Sequence, residues 1–532
     1  MILRVHRIGG TIMVVNLISA TPFGVDALCV TVEVNLSGGN LSVTIIGLPD
    51  TSTREAKDRL LPALNNSGFP CQADNIVINL SPADLRKEGS QFDLAMALGV
   101  IAAREAFPPA QLAGKMMIGE MALDGRIKPV RGVLAMVERA KAMGLATVLV
   151  PWDNVHEAML IEGMDIWPVR SVKEAVSLLQ GAPRTMLPPT PMVTNGTTER
   201  TDFCWVKGQP VAKRAMEIAA AGGHNLLMFG PPGSGKSLLA KTFPSILPPL
   251  TPQEKLDITR IYSAMGKAPA GGLIHQRPYR APHHTASPSA LIGGGSFPRP
   301  GEVTLAHLGV LFLDEFPEFP RQVLEVLRQP LEEHRVTISR AREQLSFPAR
   351  FQLIAAMNPC PCGYWGDDQH ECRCSPLRRE QYRQRISGPL LDRIDLQIEV
   401  PALNLKTLRR LPPGETSAQI AQRVLRARRK QEERFASKLL LNAQMPPQAL
   451  RLHCSLSPAV EDHFTDLVTS LGYSARAYDK LLRLARTIAD LEGKAQIQPQ
   501  HLEEALFYRQ FDRPRGSDFL DTPFALGFEG DP

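Results

Sequence analysis

The run GPPGSGKS at 230–237 fits G-x-x-x-x-G-K-[ST], with Gly230, Pro231, Pro232, Gly233, Ser234, Gly235, Lys236 and Ser237 in its eight places. It follows the apolar run NLLMF and opens the helix-prone run SLLAKTF, the strand–loop–helix context such a loop needs. Backbone N–H groups of a glycine-rich turn converge on phosphates there. Lys236 is then placed for the β- and γ-phosphates of a nucleotide, and Ser237 for Mg²⁺. A second apolar run, GVLFLDE at 309–315, ends in two acids. Asp314 is expected to hold Mg²⁺ and Glu315 to orient the attacking water. A third run, FQLIAAMN at 351–358, ends in Asn358, which can hydrogen-bond the γ-phosphate or that water.

Of eight cysteines, Cys360, Cys362, Cys372 and Cys374 fall within fifteen residues. Four thiolates suffice for one tetrahedral Zn²⁺. The C-x-C spacing is tighter than the usual C-x₂-C, so reduced thiols in a loop stand beside zinc as the second reading. The other four cysteines are scattered, unlike a secreted disulfide scaffold, and the chain reads as cytoplasmic.

The elements that position these residues alternate. Three short apolar runs separated by helical segments imply a parallel sheet covered on both faces, with functional groups at the strands' C-terminal ends. Upstream, 27–36 alternates apolar and polar, 41–48 and 76–80 are β-rich, and 117–130 reads as a hairpin turning at Asp124 and Gly125. Helical patterns cover 93–106 and 132–143, and 146–150 is a buried strand. The expected organisation is an α/β domain at 1–181, a Pro/Thr-rich linker at 182–201, a P-loop α/β core at 202–402, a basic helical lid at 403–510 and an irregular tail at 511–532.

The 532 residues allow two to four domains, and 44% hydrophobic with 21% charged content is ordinary for a globular protein. A net charge of +6 does not establish nucleic-acid binding but leaves room for a local basic surface. No run reaches the ~18 apolar residues of a membrane span, and no signal-peptide pattern is expected. The ordered pattern begins after Met13, which makes Met13 an alternative start to Met1.

Longer stretches carry a resemblance: VKGQ at 206–209, AAAGGHN at 219–225, YRAPHHT at 279–285, LIGGG at 291–295, PGE at 300–302, LAH at 305–307, AMNPCPCG at 356–363, ISGPLLDRID at 386–395, SARA at 474–477 and LARTIA at 484–489. The sequence from about 16 to 510 resembles the magnesium-chelatase-like AAA+ ATPases of the ComM (YifB) family. The resemblance implies that Val206, Gly208 and Gln209 border the adenine and that 251–302 holds an insertion directed at a ring's pore. It implies that Arg393 is an arginine finger offered to a neighbouring subunit, and Arg476 a sensor-2 arginine of the lid. A finger acting in trans requires a homo-oligomer, expected to be a hexamer. Residues 16–180 resemble the Lon-protease domain, of ribosomal S5 domain 2-like fold, through RKEG at 86–89, FDL at 92–94 and the glycines Gly119 and Gly125. The catalytic serine and lysine positions of that domain fall on Gln91 and Leu134, so it is expected to lack peptidase activity.

Residues 331–350 read as two β-prone runs joined by a basic turn. By resemblance this hairpin points into the pore, where Arg340 and Arg342, with Lys267 and Arg280 from the insertion, would meet DNA phosphates. The function implied is an ATP-driven motor on single-stranded or branched DNA, with helicase or branch-migration activity that supports recombination of incoming DNA in natural transformation. Two other readings are a magnesium-chelatase motor subunit inserting metal into a porphyrin, and a protein-remodelling ATPase.

Overall fold

A computed structural model of the chain describes residues 7–8, 12–72, 74–184, 201–269, 271–295, 299–339, 344–366, 370–404 and 409–509. Arg340, Arg342, most of the linker and the tail lie outside them. The chain divides into two compact units. The first comprises Met1–Gly196 with Thr251–His275 and Pro298–Pro300, and the second the remainder.

In the first unit, β1 (Ile12–Phe23), β2 (Asp26–Gly38), β3 (Ser42–Ile46), β4 (Asp74–Ser81), β5 (Lys115–Met117), β6 (Thr147–Pro151) and β7 (Asp165–Val169) form a mixed sheet in the order β7-β6-β5-β1-β2-β4-β3. A short strand, Arg7–Ile8, pairs with β1. The alternation read in 27–36 becomes an inward row of Val30, Val32, Val34 and Leu36 on β2, while Thr31, Glu33 and Asn35 are only partly buried. The fully buried helix Asp93–Ala103 lies against β1 and β2. At Gly99 of that helix a Cβ would come within 2.5 Å of Val34 Cγ2, so the contact requires glycine. The hairpin at 117–130 forms as Glu120–Met121 paired with Ile127–Lys128.

Residues 251–275 therefore depart from a division of the chain at a single linker. The helix Pro252–Ala264, opened by a capping box between Thr251 and Glu254, buries Ile258 and Ile261. It runs along the helix Val133–Ala142. The buried Glu157 carboxylate accepts from the Ser263 hydroxyl and from the Leu134 amide (2.8 Å). Burial pushes the Glu157 carboxyl up, and these bonds restrain it.

In the second unit, β8 (Leu226–Phe229), β9 (Tyr279–Arg280), β10 (Val310–Leu313), β11 (Gln352–Met357) and β12 (Leu396–Glu399) make an all-parallel sheet, order β9-β10-β11-β8-β12. β10 and β11 are buried along their whole length, as expected of strands covered on both faces. The C-terminal segment is helical, from Ser417–Phe435 to Pro499–Phe507. Its Ile420, Val424, Leu481, Ile488 and Leu502 share one core with Met216, Leu226 and Ile354. Arginines of the basic helix Ser417–Phe435 bond within the unit: Arg423 to Glu217 and Glu415, Arg428 to the Ala220 carbonyl, and Arg434 to both oxygens of the buried Asp490 (2.6 and 2.8 Å).

Candidate nucleotide site

Parallel strands deliver their next residues to one edge of the sheet. β8, β10 and β11 bring Gly230, Asp314 and Asn358 to that edge. The loop starts where the Gly230 amide donates to the Met357 carbonyl (3.3 Å). A Cβ on Gly230 would lie 2.1 Å from the Val400 carbonyl oxygen, so only glycine fits. Gly233 and Gly235 take φ of 77° and 95°, and a Cβ at either would meet nothing within 4 Å, so glycine is required there by the left-handed backbone and not by crowding. Gln209, itself left-handed at φ 57°, donates to the Ser234 and Pro401 carbonyls (3.4 and 2.7 Å) and ties 206–209 to the loop. At Gly208, a Cβ would be 2.9 Å from Leu403 Cδ1, so the backbone there is packed closely on Leu403, within the stretch read as the adenine border, whose Val206 and Gln209 are buried.

Lys236 is buried, its ammonium donating to the Gly230 and Pro231 carbonyls (2.7 and 2.8 Å) and to Ser234 Oγ (3.2 Å). Burial pulls its pKa down to about 8 against the opposing pull of Asp314. A phosphate binds the protonated amine, so binding above that pKa must also take up a proton. Nucleotide affinity is therefore expected to fall about tenfold between pH 7 and pH 9, measured by fluorescent-nucleotide titration at constant Mg²⁺. A flat profile would mean that Lys236 stays charged without phosphate.

Ser237 Oγ donates to Asp314 Oδ2 (2.8 Å). These are two hard oxygen ligands in contact, a donor set that suits Mg²⁺. Glu315 stands beside them, half exposed, in the left-handed region at φ 50°, ψ 44°, a conformation that a non-glycine residue holds only under constraint. Its Oε2 lies 3.0 Å from His284 Nδ1. The His284 ring lies 4.1 Å from the His283 ring, tilted by 34°, and meets Phe319 edge-on. His284 lies within the YRAPHHT run, but no local pattern ties it to an acid thirty-one residues further on.

Arg393 and Arg476 lie elsewhere. Both line a cavity of about 520 Å³ with Arg350, Lys480 and Arg483, against Glu332, Asp392 and Asp395. The cavity also includes Asn225 and Phe351, which precede β8 and β11, so it sits at the opposite edge of the sheet from the loop. The Arg393 carbonyl accepts from Asn225 Nδ2 (2.9 Å). From residue 225 to residue 230 the chain runs along β8 for roughly 16 Å. Arg393 donates to the Pro389 carbonyl and lies 2.6 Å from Glu332 Oε1. Two residues on, burial would raise the Asp395 carboxyl, but Lys480 (3.3 Å), His224 (3.3 Å) and Arg509 hold it well below the usual carboxylate range. His224 Nε2 in turn lies 2.8 Å from Thr487 Oγ1, joining the Arg393 turn to the helix Ala475–Leu491 that carries Arg476.

The four clustered cysteines are unbridged, with their sulfur atoms all within 4.8 Å of one another. Lys267 is exposed in the first unit. Arg280 donates to both oxygens of Glu302 (2.5 and 2.7 Å). Of the two positions on which the Lon resemblance places a serine and a lysine, Gln91 donates to Thr21 Oγ1 (3.0 Å) and Leu134 is a buried apolar side chain. Ser90, next to Gln91, donates its hydroxyl to Glu120.

Family models describe the same regions. "Magnesium chelatase, subunit ChlI" matches 202–408, "Subunit ChlI of Mg-chelatase" matches 32–154, and the ChlI C-terminal model matches 414–509. The YifB protein of Escherichia coli is 41% identical over 492 residues, covering 92% of this chain and 96% of that protein. The competence protein ComM of Haemophilus influenzae is 41% identical over 500 residues, covering 93% and 97%. Lon protease 2 of Bacillus subtilis is 29% identical over 130 residues, 24% of this chain and 23% of that protein. No helix among the described residues is long and apolar enough to cross a membrane. With a phosphate loop, an acid pair and a polar strand end on one edge of a parallel sheet, and with relatives matched over nearly their whole length, the chain belongs to the magnesium-chelatase-like AAA+ ATPases of the ComM (YifB) family.

Proposed function

We propose that the chain is one subunit of an ATP-hydrolysing ring, six-membered by family resemblance, that moves on single-stranded or branched DNA in the cytoplasm. The observation that carries the ring is the separation of Lys236 from Arg393 and Arg476 by the length of β8. One chain's arginines stand at the far edge from its own loop, so they serve a neighbour's nucleotide. The loop amides and Lys236 hold the phosphates, and Ser237 and Asp314 hold Mg²⁺, which neutralises charge on the phosphate oxygens when bound. Glu315 polarises the attacking water, and Asn358 bonds the γ-phosphate or that water. Arg393 and Arg476 of the adjoining subunit stabilise the charge that spreads over the γ-phosphate oxygens. The four cysteines are read as a structural Zn²⁺ site.

DNA as the cargo is supported by the basic residues Arg340 and Arg342 in the sequence, by exposed Lys267, and by the competence name of the Haemophilus influenzae relative. Arg280 would have to leave Glu302 to take a phosphate. Helicase or branch-migration work in recombination of incoming DNA follows from this reading. It predicts ATP-dependent strand displacement and branch migration by wild-type protein and none by Lys236→Ala, with ATPase turnover rising on forked DNA. The family description favours metal insertion into a porphyrin as the second reading. Turnover that ignores DNA and rises with porphyrin-binding partner subunits would choose it.

A further inference from the structure

The cysteine cluster and the phosphate loop share a wall. Asn358, at the end of β11, is followed by Pro359 and then by buried Cys360. Cys360 Sγ lies 3.3 Å from Cys362 Sγ and 3.7 Å from Cys372 Sγ, and Cys362 and Cys372 are 3.7 Å apart. A Zn–S distance near 2.3 Å gives a tetrahedron with S···S edges of about 3.8 Å, so three sulfurs already stand near three of its corners. The Cys374 amide donates to Cys372 Sγ (3.5 Å), the kind of bond that favours a bound thiolate. Between the first two ligands and the rest, Gly363 turns at φ 86°. A Cβ there would lie 2.8 Å from Cδ and Cγ of Pro232 in the phosphate loop and 3.9 Å from Cγ of Asn358. After Cys374, Ser375 caps the helix Pro376–Arg383, whose buried Tyr382 faces the Asn358 backbone.

We infer that Zn²⁺ bound by Cys360, Cys362, Cys372 and Cys374 is a clasp on the nucleotide site. It holds Gly363 on Pro232 and fixes Asn358 opposite the acid pair, so ATP turnover depends on the ion more than ATP affinity does. The inference rests on the nucleotide and zinc readings above. Closing 360–374 at its base with four metal–sulfur bonds fixes both flanks of Asn358 at once: the chain leaving β11 and the helix returning with Tyr382. The Tyr364 and His370 rings, 4.7 Å apart, already draw the two C-x-C pairs together, and four metal–sulfur bonds would fix that approach to one geometry.

The test uses full-length protein purified without chelator, with three readouts: zinc by elemental analysis, affinity for a fluorescent ATP analogue, and kcat. Wild type is expected to carry one zinc per chain. Cys372→Ser with Cys374→Ser is expected to lose it, to bind the analogue within about threefold of wild type and to turn over at least about tenfold more slowly. Gly363→Ala keeps all four ligands, so it should keep zinc and yet show a similar loss of kcat. Wild type that binds the analogue but carries less than about a tenth of an equivalent of zinc overturns the metal site and the clasp together, leaving the nucleotide reading intact. Zinc present, with kcat unchanged in both variants, overturns the clasp alone. Wild type that binds zinc but no ATP analogue removes the nucleotide reading beneath it. If the double serine variant fails to melt cooperatively, Gly363→Ala decides the question by itself.

Discussion

Glu315→Gln will bind ATP with Mg²⁺ as wild type does and hydrolyse it about 10²- to 10⁴-fold more slowly, the usual yield of a positioned acid–base group. The substitution keeps the shape of the side chain and leaves the Ser237–Asp314 contact in place, so the phosphates and metal lose nothing. What disappears is the negative charge that, in the proposed role, polarises the attacking water. Glu315 is placed for this by its left-handed backbone at the end of β10 and by the His284 ring 3.0 Å from its carboxylate. His284→Ala, which leaves the carboxylate in place but unanchored, should fall between the two. Single-turnover hydrolysis of radiolabelled ATP, run beside filter binding, separates the steps. A Glu315→Gln rate within threefold of wild type would remove that residue from the reaction.

How much of this was legible in the sequence depended on whether the chemistry is contiguous. The phosphate loop is written in eight successive residues, and β10 and residues 353–357 of β11 in unbroken apolar runs, because strands buried on both faces need no alternation. β1 escaped notice because its inward row includes Ser19 and Thr21, whose hydroxyls bond Met117 and Gln91, and these polar residues mask the alternation. β9 is two residues long, too short for any pattern to register, and β12 (LQIE) lacks the unbroken apolar run that marks β8 and β10 at the same length. Residues 251–302 read as an insertion, but which core buries Ile258 and Ile261 of its helix is a tertiary fact, and they join the first unit. The contact between His284 and Glu315, and the shared cavity of Arg393 and Arg476, join residues tens of positions apart through the sheet's parallel order. Spacing along the chain does not encode such order. The cysteine spacing left zinc and free thiols open; the sulfur triangle beside Gly363 is what favours the metal.

Mixing two inactive proteins will restore ATP hydrolysis. Lys236→Ala subunits cannot hold the phosphates but keep Arg393. Arg393→Ala subunits keep the loop and the acid pair but present no finger, a loss that amounts to about 10³- to 10⁵-fold in related phosphoryl transfers. If each catalytic site takes its loop from one chain and its arginine from the next, an interface between an Arg393→Ala loop and a Lys236→Ala finger is chemically complete. In a closed ring with head-to-tail interfaces, random equal mixing makes about a quarter of the interfaces complete. Turnover should therefore rise from background to about a quarter of wild type when sites act independently, and less when neighbouring sites must fire in concert. The structure motivates the mixture because Asn225 pins the Arg393 turn at the start of β8, while Lys236 bonds the carbonyl of Gly230 at its end. An arginine acting on its own chain's nucleotide would leave every mixed ring silent, since each subunit would carry its own defect. Subunit exchange has to be demonstrated in the same tube, by energy transfer between labelled chains. Exchange without recovery would take Arg393 out of the neighbour's site, and with it the requirement that hydrolysis be shared between subunits.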